Sequence, residues 1–377
     1  MSKLRRTLYR FLAVTLSSFL ALGCCEAFLR YTMPFSVPLG IPGIAGRAAI
    51  PDRTDRYRFS YNRRGFRTGE FSDRPAPGYT RIVVCGDSHA FGWGVDDGKR
   101  LSDHVSSGLS ARLSRPVEVL NLAQPGASFP DYQVCAENAS ALGADALAVV
   151  VYAGNDFGEA VASSGAPNKE SALRPNAPLR GRDFLRTFYL WHLPVRAFAY
   201  FSKHSEFPIG GRGCKTQVSW AEVGPFSQAV FQACILRDHQ NLETDRSAAA
   251  RAIERVITSA GCPVLIALLP SRLMTHQADA VEQVNQVGSA VSVDAANATS
   301  LEAELSRDLL EISRQKTRYV IDLTSTVADA PNAYFPIDWH LSEQGHEMIG
   351  EAITAKITEM LEEKQMHGSL QRTPSLK

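Results

Sequence analysis

Apolar residues recur along this chain with two alternating periods. Short β-branched and aliphatic runs fall at 81–86 (Ile82, Val83, Val84), 117–122, 146–152, 263–269 and 319–323, the pattern of strands buried on both faces of a parallel sheet. Between them lie segments with apolar residues every three or four positions, as amphipathic helices require. These are 98–113 (Leu101, Val105, Leu109, Leu113), 131–142, 246–260 (Ala249, Ile253, Val256, Ile257), 300–314 and 343–362 (Ile349, Ile353, Ile357, Met360, Leu361). Gly261 stands where a helix C-terminal glycine belongs, and Ser342 where an N-cap belongs. Strands alternating with helices predict one parallel sheet with right-handed crossovers, covered on both faces. In such sheets ligands gather at the C-terminal ends of the strands.

Several stretches break the alternation. Lys3, Arg5, Arg6 and Arg10 precede an uncharged, mostly apolar run from 11 to 25, extended past Glu26 by Ala27, Phe28 and Leu29. A basic flank before an apolar centre reads as an export signal, and no clear Ala-x-Ala cleavage site follows. Residues 1–30 are therefore expected to be an uncleaved signal anchor, a transmembrane helix whose basic flank stays in the cytoplasm while the body is exported to the periplasmic or extracellular side. The alternative is a lipoprotein signal ending at Cys24, which the order Ala21-Leu22-Gly23 fits poorly. Residues 31–79 are rich in Pro, Gly and Arg and read as a tether, with Tyr61–Arg67 either an edge segment near the site or a solvated loop. Residues 80–363 form the expected main domain. Within it, 157–245 is an insertion after the third strand, turning aromatic and basic at 184–204. It suits a cap over the site, a membrane contact or, preferred, a helical hairpin burying its rings. Residues 364–377 are polar and read as a disordered tail.

Composition narrows the function classes. With 377 residues, 45% hydrophobic and 21% charged, the chain is that of a folded globular protein. A net charge of +1, with no Lys/Arg cluster beyond the first ten residues, argues against nucleic acid as a partner. Seven cysteines show no Cys-x-x-Cys or Cys/His spacing, so no metal site is suggested. Cys24 and Cys25 lie in the N-terminal run, and Cys85 and Cys262 read as small core residues. Cys214 and Cys234 are a candidate disulfide in an oxidising compartment.

Four segments fall at the active edge of the expected sheet: Gly86-Asp87-Ser88, then Asn121 to Ser128 with Gly126, then Ala153-Gly154-Asn155-Asp156, and finally Asp338-Trp339-His340 before the last helix. Taken singly, Gly126 is a turn glycine, Asn155 a turn former, Asp338 a carboxylate at a helix start and His340 a core histidine. Strand alternation brings all four to one rim. A serine hydroxyl is a weak nucleophile that needs a base within reach, and the base needs an orienting acid. Residues two apart in an extended segment share a side, so Asp338 can hold one ring nitrogen of His340 while the other faces Ser88. The Ser88 amide, the Gly126 amide and the Asn155 side-chain amide are candidate donors to the oxyanion of an acyl transfer.

In this order the four segments resemble the four blocks of the SGNH (GDSL-type) hydrolase family, over about residues 80–363 without the insertion. The resemblance implies a flavodoxin-like three-layer α/β/α sandwich, no metal or organic cofactor, and esterase, lipase or deacetylase activity. It implies Ser88 as nucleophile, His340 as base and Asp338 as its orienter, with Ser88, Gly126 and Asn155 forming the oxyanion hole. This sequence departs in two places. Ala153 stands where relatives often have glycine, and one residue rather than two separates acid from histidine, which leaves Asp322 as a second candidate acid. His89 reads as a pocket wall or helix-start residue and His346 as packing. The expected function is an exported, membrane-anchored serine esterase acting on an acyl ester of a glycan or lipid, such as an O-acetyl group on a cell-envelope glycan. An O-acetyltransferase on the same scaffold and a non-catalytic envelope-assembly or sugar-binding module are the alternatives. A nucleotide site is disfavoured, because the glycines after Ser88 form neither Gly-x-Gly-x-x-Gly nor Gly-Lys-Ser/Thr.

Overall fold

The computed structural model describes residues 3–32, 45–48, 50, 52–154, 156, 242–275, 278–291, 295–328 and 330–370. Helix α1 (Lys3–Thr32) contains a stretch from Arg5 to Phe28, 24 residues, long and apolar enough to cross a membrane. At about 1.5 Å per residue it rises ~36 Å, against a hydrocarbon layer of ~30 Å. Phe11, Leu16, Phe19 and Leu20 on it are exposed in the protein alone. A signal sequence would meet the same criteria of length and composition.

The tether reading does not describe residues 45–79. Strands β1 (Ala45–Ala48) and β2 (Tyr57–Ser60) form an antiparallel hairpin, and Tyr57, Phe59 and Tyr61 are buried in the main body. Arg67 is wholly buried, and its guanidinium ties this segment to the loop behind the site. It donates to the carbonyls of Arg58 (2.9 Å), Gly92 (2.5 Å) and Val95 (2.7 Å) and to Asp97 (2.7 Å). Arginine in a Gly/Pro-rich stretch reads as solvated from sequence, but a buried guanidinium can satisfy several loop carbonyls at once. Arg67→Met should cost about 3 kcal/mol of stability, because the Val95 carbonyl would lose its side-chain donor, the Gly92 carbonyl would keep only the Val95 amide at 3.4 Å, and Asp97 would lose its cation. A denaturant-midpoint comparison checks this.

The central sheet is built from β3 (Thr80–Gly86), β4 (Val117–Asn121), β5 (Ala146–Tyr152), β6 (Val264–Leu269) and β7 (Val320–Asp322), all parallel, in the order β4-β3-β5-β6-β7. Counted within the sheet this is 2-1-3-4-5, the flavodoxin-like order, with its switch point between β3 and β5. Period-two alternation divides the strands between two cores. Ile82, Val84, Ala148, Val150, Leu265 and Ala267 face one, and Val83, Cys85, Leu147, Val149, Val264 and Ile266 face the other.

Each face carries helices, so the architecture is the expected three-layer α/β/α sandwich. On the first face α3 (Leu101–Arg112) packs against the C-terminal helix (Glu343–Leu370). On the second, α4 (Phe129–Ala141), α5 (Leu242–Ser259), α6 (Ala278–Val291) and α7 (Ala295–Lys316) cover the sheet. Two short α-helices, α2 (Ser88–Phe91) and α8 (Thr324–Ala328), and a 3-10 turn at Arg272–Thr275 complete the described elements, and the C-terminal helix is then α9. Gly261 has φ +63°, the left-handed conformation expected of it. Ser342 caps α9, its Oγ accepting the Gly345 amide at 3.2 Å.

Some sequence expectations need correction. Helix α6 has no counterpart in the elements the pattern predicts, although Ala280 and Val284, four residues apart, are buried on one face. The tail reading of 364–377 fails for 364–370, where α9 continues; Glu362, Glu363 and Lys364 are polar but strong helix formers. Cys85 is no isolated core thiol: it forms a disulfide with Cys135 of α4, both side chains projecting into the same core. A separation of 50 residues leaves no local trace of that pairing. Cys262 is a free thiol, pushed up to about 11 by burial. Cys214 and Cys234, and residues 157–241 of the insertion, lie outside the described residues.

Candidate active site

β3 ends at Gly86, and the chain turns at once into α2. The turn needs a glycine: a Cβ at Gly86 would lie 2.5 Å from the Ala90 Cβ and 3.0 Å from the Val150 carbonyl oxygen. Asp87 caps the new helix, its Oδ1 accepting the His89 amide at 2.9 Å. Ser88 is therefore the first residue of α2, with a backbone N–H from a turn that has no intrahelical acceptor. This places it at the switch point between β3 and β5.

His340 comes to Ser88 from the other end of the chain. Its Nε2 accepts from the Ser88 Oγ at 2.8 Å, and its Nδ1 donates to Asp338 Oδ1 at 2.5 Å. The pair does not meet through an extended segment, as the sequence suggests. Trp339 between them has φ +66°, the one non-glycine residue with positive φ among those described. The loop is a tight turn closed by the Phe335 amide on the His340 carbonyl (2.8 Å) and the Trp339 amide on the Phe335 carbonyl (3.1 Å). A left-handed residue with a bulky side chain costs about 1–3 kcal/mol and persists only where its surroundings fix it. Here the Trp339 indole is buried and donates to Gln283 Oε1 at 2.8 Å. Arg272 and Gln283 donate to the Pro336 carbonyl at 2.8 and 3.1 Å. Asp52 accepts the amides of Ile337 and Asp338, each at 2.7 Å. None of these three supports was found from sequence, since each is distant along the chain and carries no motif.

The other candidates sort clearly. Asp322 accepts the Thr324 amide at 2.9 Å and so starts α8; Asp338, not Asp322, holds His340. Gly126 is exposed, with φ +71°, on a loop tied to the Gly86–Ser88 turn by the Gln124 amide on the Gly86 carbonyl (3.1 Å). Asn155 lies outside the described residues. Its neighbour Asp156 is buried, its Oδ2 accepting Tyr132 Oη at 2.7 Å and the Tyr152 amide at 2.8 Å. His89 is a buried residue at the start of α2, its ring centroid 4.1 Å from Tyr152 and 4.8 Å from His340. His346 packs α9 on α3, its Nδ1 accepting the Leu101 amide at 3.1 Å.

Burial dominates the electrostatics. It pushes Asp87 up to about 6, against the His89 amide and the His340 charge, which pull it down. It holds His89 well below the ordinary imidazole value, with the His340 charge acting the same way. For His340 burial again disfavours the charged ring, but the Asp338 charge and hydrogen bond, together with Asp87, outweigh it and raise the value. The result is a base oriented on one side, facing a hydroxyl on the other. Among the described residues no group of three or more His, Cys, Asp or Glu side chains is arranged to hold a metal ion.

No protein-family model matches the chain, and no curated protein does. Solved structures do. A lipase from a goat rumen metagenome is similar at 14% identity and a TM-score of 0.40, over 74% of this chain and 97% of its own. A lipase/acylhydrolase from Enterococcus faecalis is similar at 13% identity and a TM-score of 0.40, over 74% and 95%. A protein described as lipolytic and of the G-D-S-L family, from Desulfitobacterium hafniense, is similar at 12% identity and a TM-score of 0.38, over 74% and 99%. These are likenesses of fold. What the site can do follows from this chain's own side chains: a positioned hydroxyl, a base on it and a carboxylate on the base.

Proposed function

We propose that the protein is an SGNH-type serine hydrolase cleaving ester bonds, its body exported and held at a membrane by α1. The observation that carries the reading is the relay Ser88 Oγ, His340 Nε2, His340 Nδ1, Asp338 Oδ1, with links of 2.8 and 2.5 Å. Ser88 attacks the ester carbonyl while its proton passes to His340, and the Asp338 carboxylate stabilises the imidazolium. The Ser88 amide, the Gly126 amide and the Asn155 side chain serve as donors to the oxyanion, each worth about 3 kcal/mol of transition-state stabilisation. His340 then protonates the leaving alcohol, and water brought in on the same nitrogen releases the acid from the acyl-enzyme.

Two features support an exported, membrane-proximal role. A disulfide buried in the core, between Cys85 and Cys135, suits an oxidising compartment. The chain from Thr32, the end of α1, to Ala45, the start of β1, can span at most ~45 Å when fully extended, which keeps the body near the membrane.

The test uses the full-length protein in membranes: a p-nitrophenyl ester series from acetyl upward, then an O-acetylated glycan with and without a second glycan as acceptor. Short-chain ester hydrolysis and free acetate from the glycan are expected. Acetyl appearing on the acceptor in place of acetate would make the enzyme a transferase, and no turnover of any ester would return it to a binding module.

A further inference from the structure

The residue that fastens the catalytic loop belongs to neither the sheet nor the four motif segments. Asp52 lies just after the hairpin strand that follows the membrane anchor, and its two carboxylate oxygens accept the backbone amides of Ile337 and Asp338, at 2.7 Å each. Arg53 beside it donates to the Gly94 carbonyl at 3.0 Å and faces Asp96 and Glu343, so the segment is seated on the loop behind Ser88 and on the start of α9. Farther along, Tyr57 packs on Trp93 (6.3 Å between centroids), and Trp93 on His340 (5.9 Å). The membrane-proximal segment thus touches the relay from two sides.

We infer that Asp52 is a positioning residue: it fixes the Ile337–Asp338 peptide so that the Asp338 carboxylate meets His340 Nδ1. This rests on the hydrolase reading above. The local geometry shows why a carboxylate is needed. Two adjacent amides point one way, and a carboxylate gives each its own oxygen, Oδ1 to Ile337 and Oδ2 to Asp338. The nearby Asp338 charge makes a second carboxylate unfavourable here, and Arg272 offsets part of that; burial is the larger influence on Asp52. An asparagine would offer one oxygen and turn an N–H toward the second amide. The turn through Trp339 would then be free to relax, carrying Asp338 away from the ring. Misplacement of about 1 Å in such a relay can lower a rate ~100-fold.

The test compares Asp52→Asn and Asp52→Glu with wild type in the full chain, with rates expressed per Ser88 titrated by a fluorophosphonate. Asp52→Asn should lower kcat about 10- to 100-fold with KM little changed, and Asp52→Glu should lower it less. The groups facing His340 are Ser88, Asp338, Asp87 and the neutral His89. Loosening Asp338 removes the main influence holding His340 up against burial, so the acid limb of the kcat profile should move to lower pH as the plateau falls. A merely stabilising residue would change the number of titratable sites and leave kcat per site and the limb where they were. That result, in Asp52→Asn or, should it fail to fold, in Asp52→Glu, overturns the proposal while the hydrolase stands. Ester hydrolysis that survives Ser88→Ala would instead remove the reading on which the proposal rests.

Discussion

Ser88→Ala is expected to lower ester hydrolysis by about 10⁴-fold or more, leaving the fold intact. The size of the effect follows from what the hydroxyl does. Without it there is no covalent intermediate, and the remaining groups can only orient a water against a carbonyl held by the oxyanion donors. The fold should not notice. Ser88 is partly exposed at the sheet edge, and its hydroxyl is bonded to His340, which keeps Asp338 as a partner. Replacing Oγ by hydrogen leaves His340 still held by Asp338 through Nδ1, at the cost of the one bond from Nε2. The check is kcat on p-nitrophenyl acetate alongside a thermal melt; an unchanged melting temperature with the rate lost is the expected pair of results.

Asp338→Asn should lower kcat by roughly 10³- to 10⁴-fold, nearly as much, for a different reason. An asparagine amide facing Nδ1 favours the wrong tautomer, with the proton on Nε2, where it cannot accept from Ser88. The pH profile adds a second, signed readout. His340 works as a base only when neutral, so the rate should rise with pH as the ring loses its proton. Burial alone would put that midpoint below the ordinary imidazole value of about 6.5, and the Asp338 charge and hydrogen bond raise it above. Removing the charge leaves burial in command, so the residual activity of Asp338→Asn should have its acid limb at lower pH than wild type. Asp322→Asn tests the alternative acid within the same series; because Asp322 only starts α8, its rate and limb should match wild type.

The parts of this molecule legible in its sequence are those fixed by local periodicity. Ile82 to Cys85, Ala146 to Tyr152 and Val264 to Leu269 alternate between two buried faces, and that doubled burial makes a parallel strand readable without a partner. Strand–helix alternation then delivers Ser88 to the edge of the sheet where His340 meets it. The proximity of Asp338 to His340 was legible too, although by the wrong geometry. An extended pair was expected, and the chain uses a left-handed tryptophan whose conformation depends on Gln283, a contact no local pattern announces. The same holds for Asp52 on Ile337, a contact between residues 285 apart, and for Cys85 with Cys135. Arg67 shows the opposite error: composition marked its neighbourhood as solvated, while the carbonyls it satisfies made it one of the most buried side chains.

The central claim, that Ser88 is a nucleophile activated by His340, is tested most directly by labelling the full-length protein with a fluorophosphonate and mapping the adduct by mass spectrometry. One phosphonyl group on Ser88 is expected, forming faster as pH rises through the His340 titration and lost in His340→Ala. An unlabelled Ser88, an adduct on another serine, or equal labelling with and without His340 would contradict it.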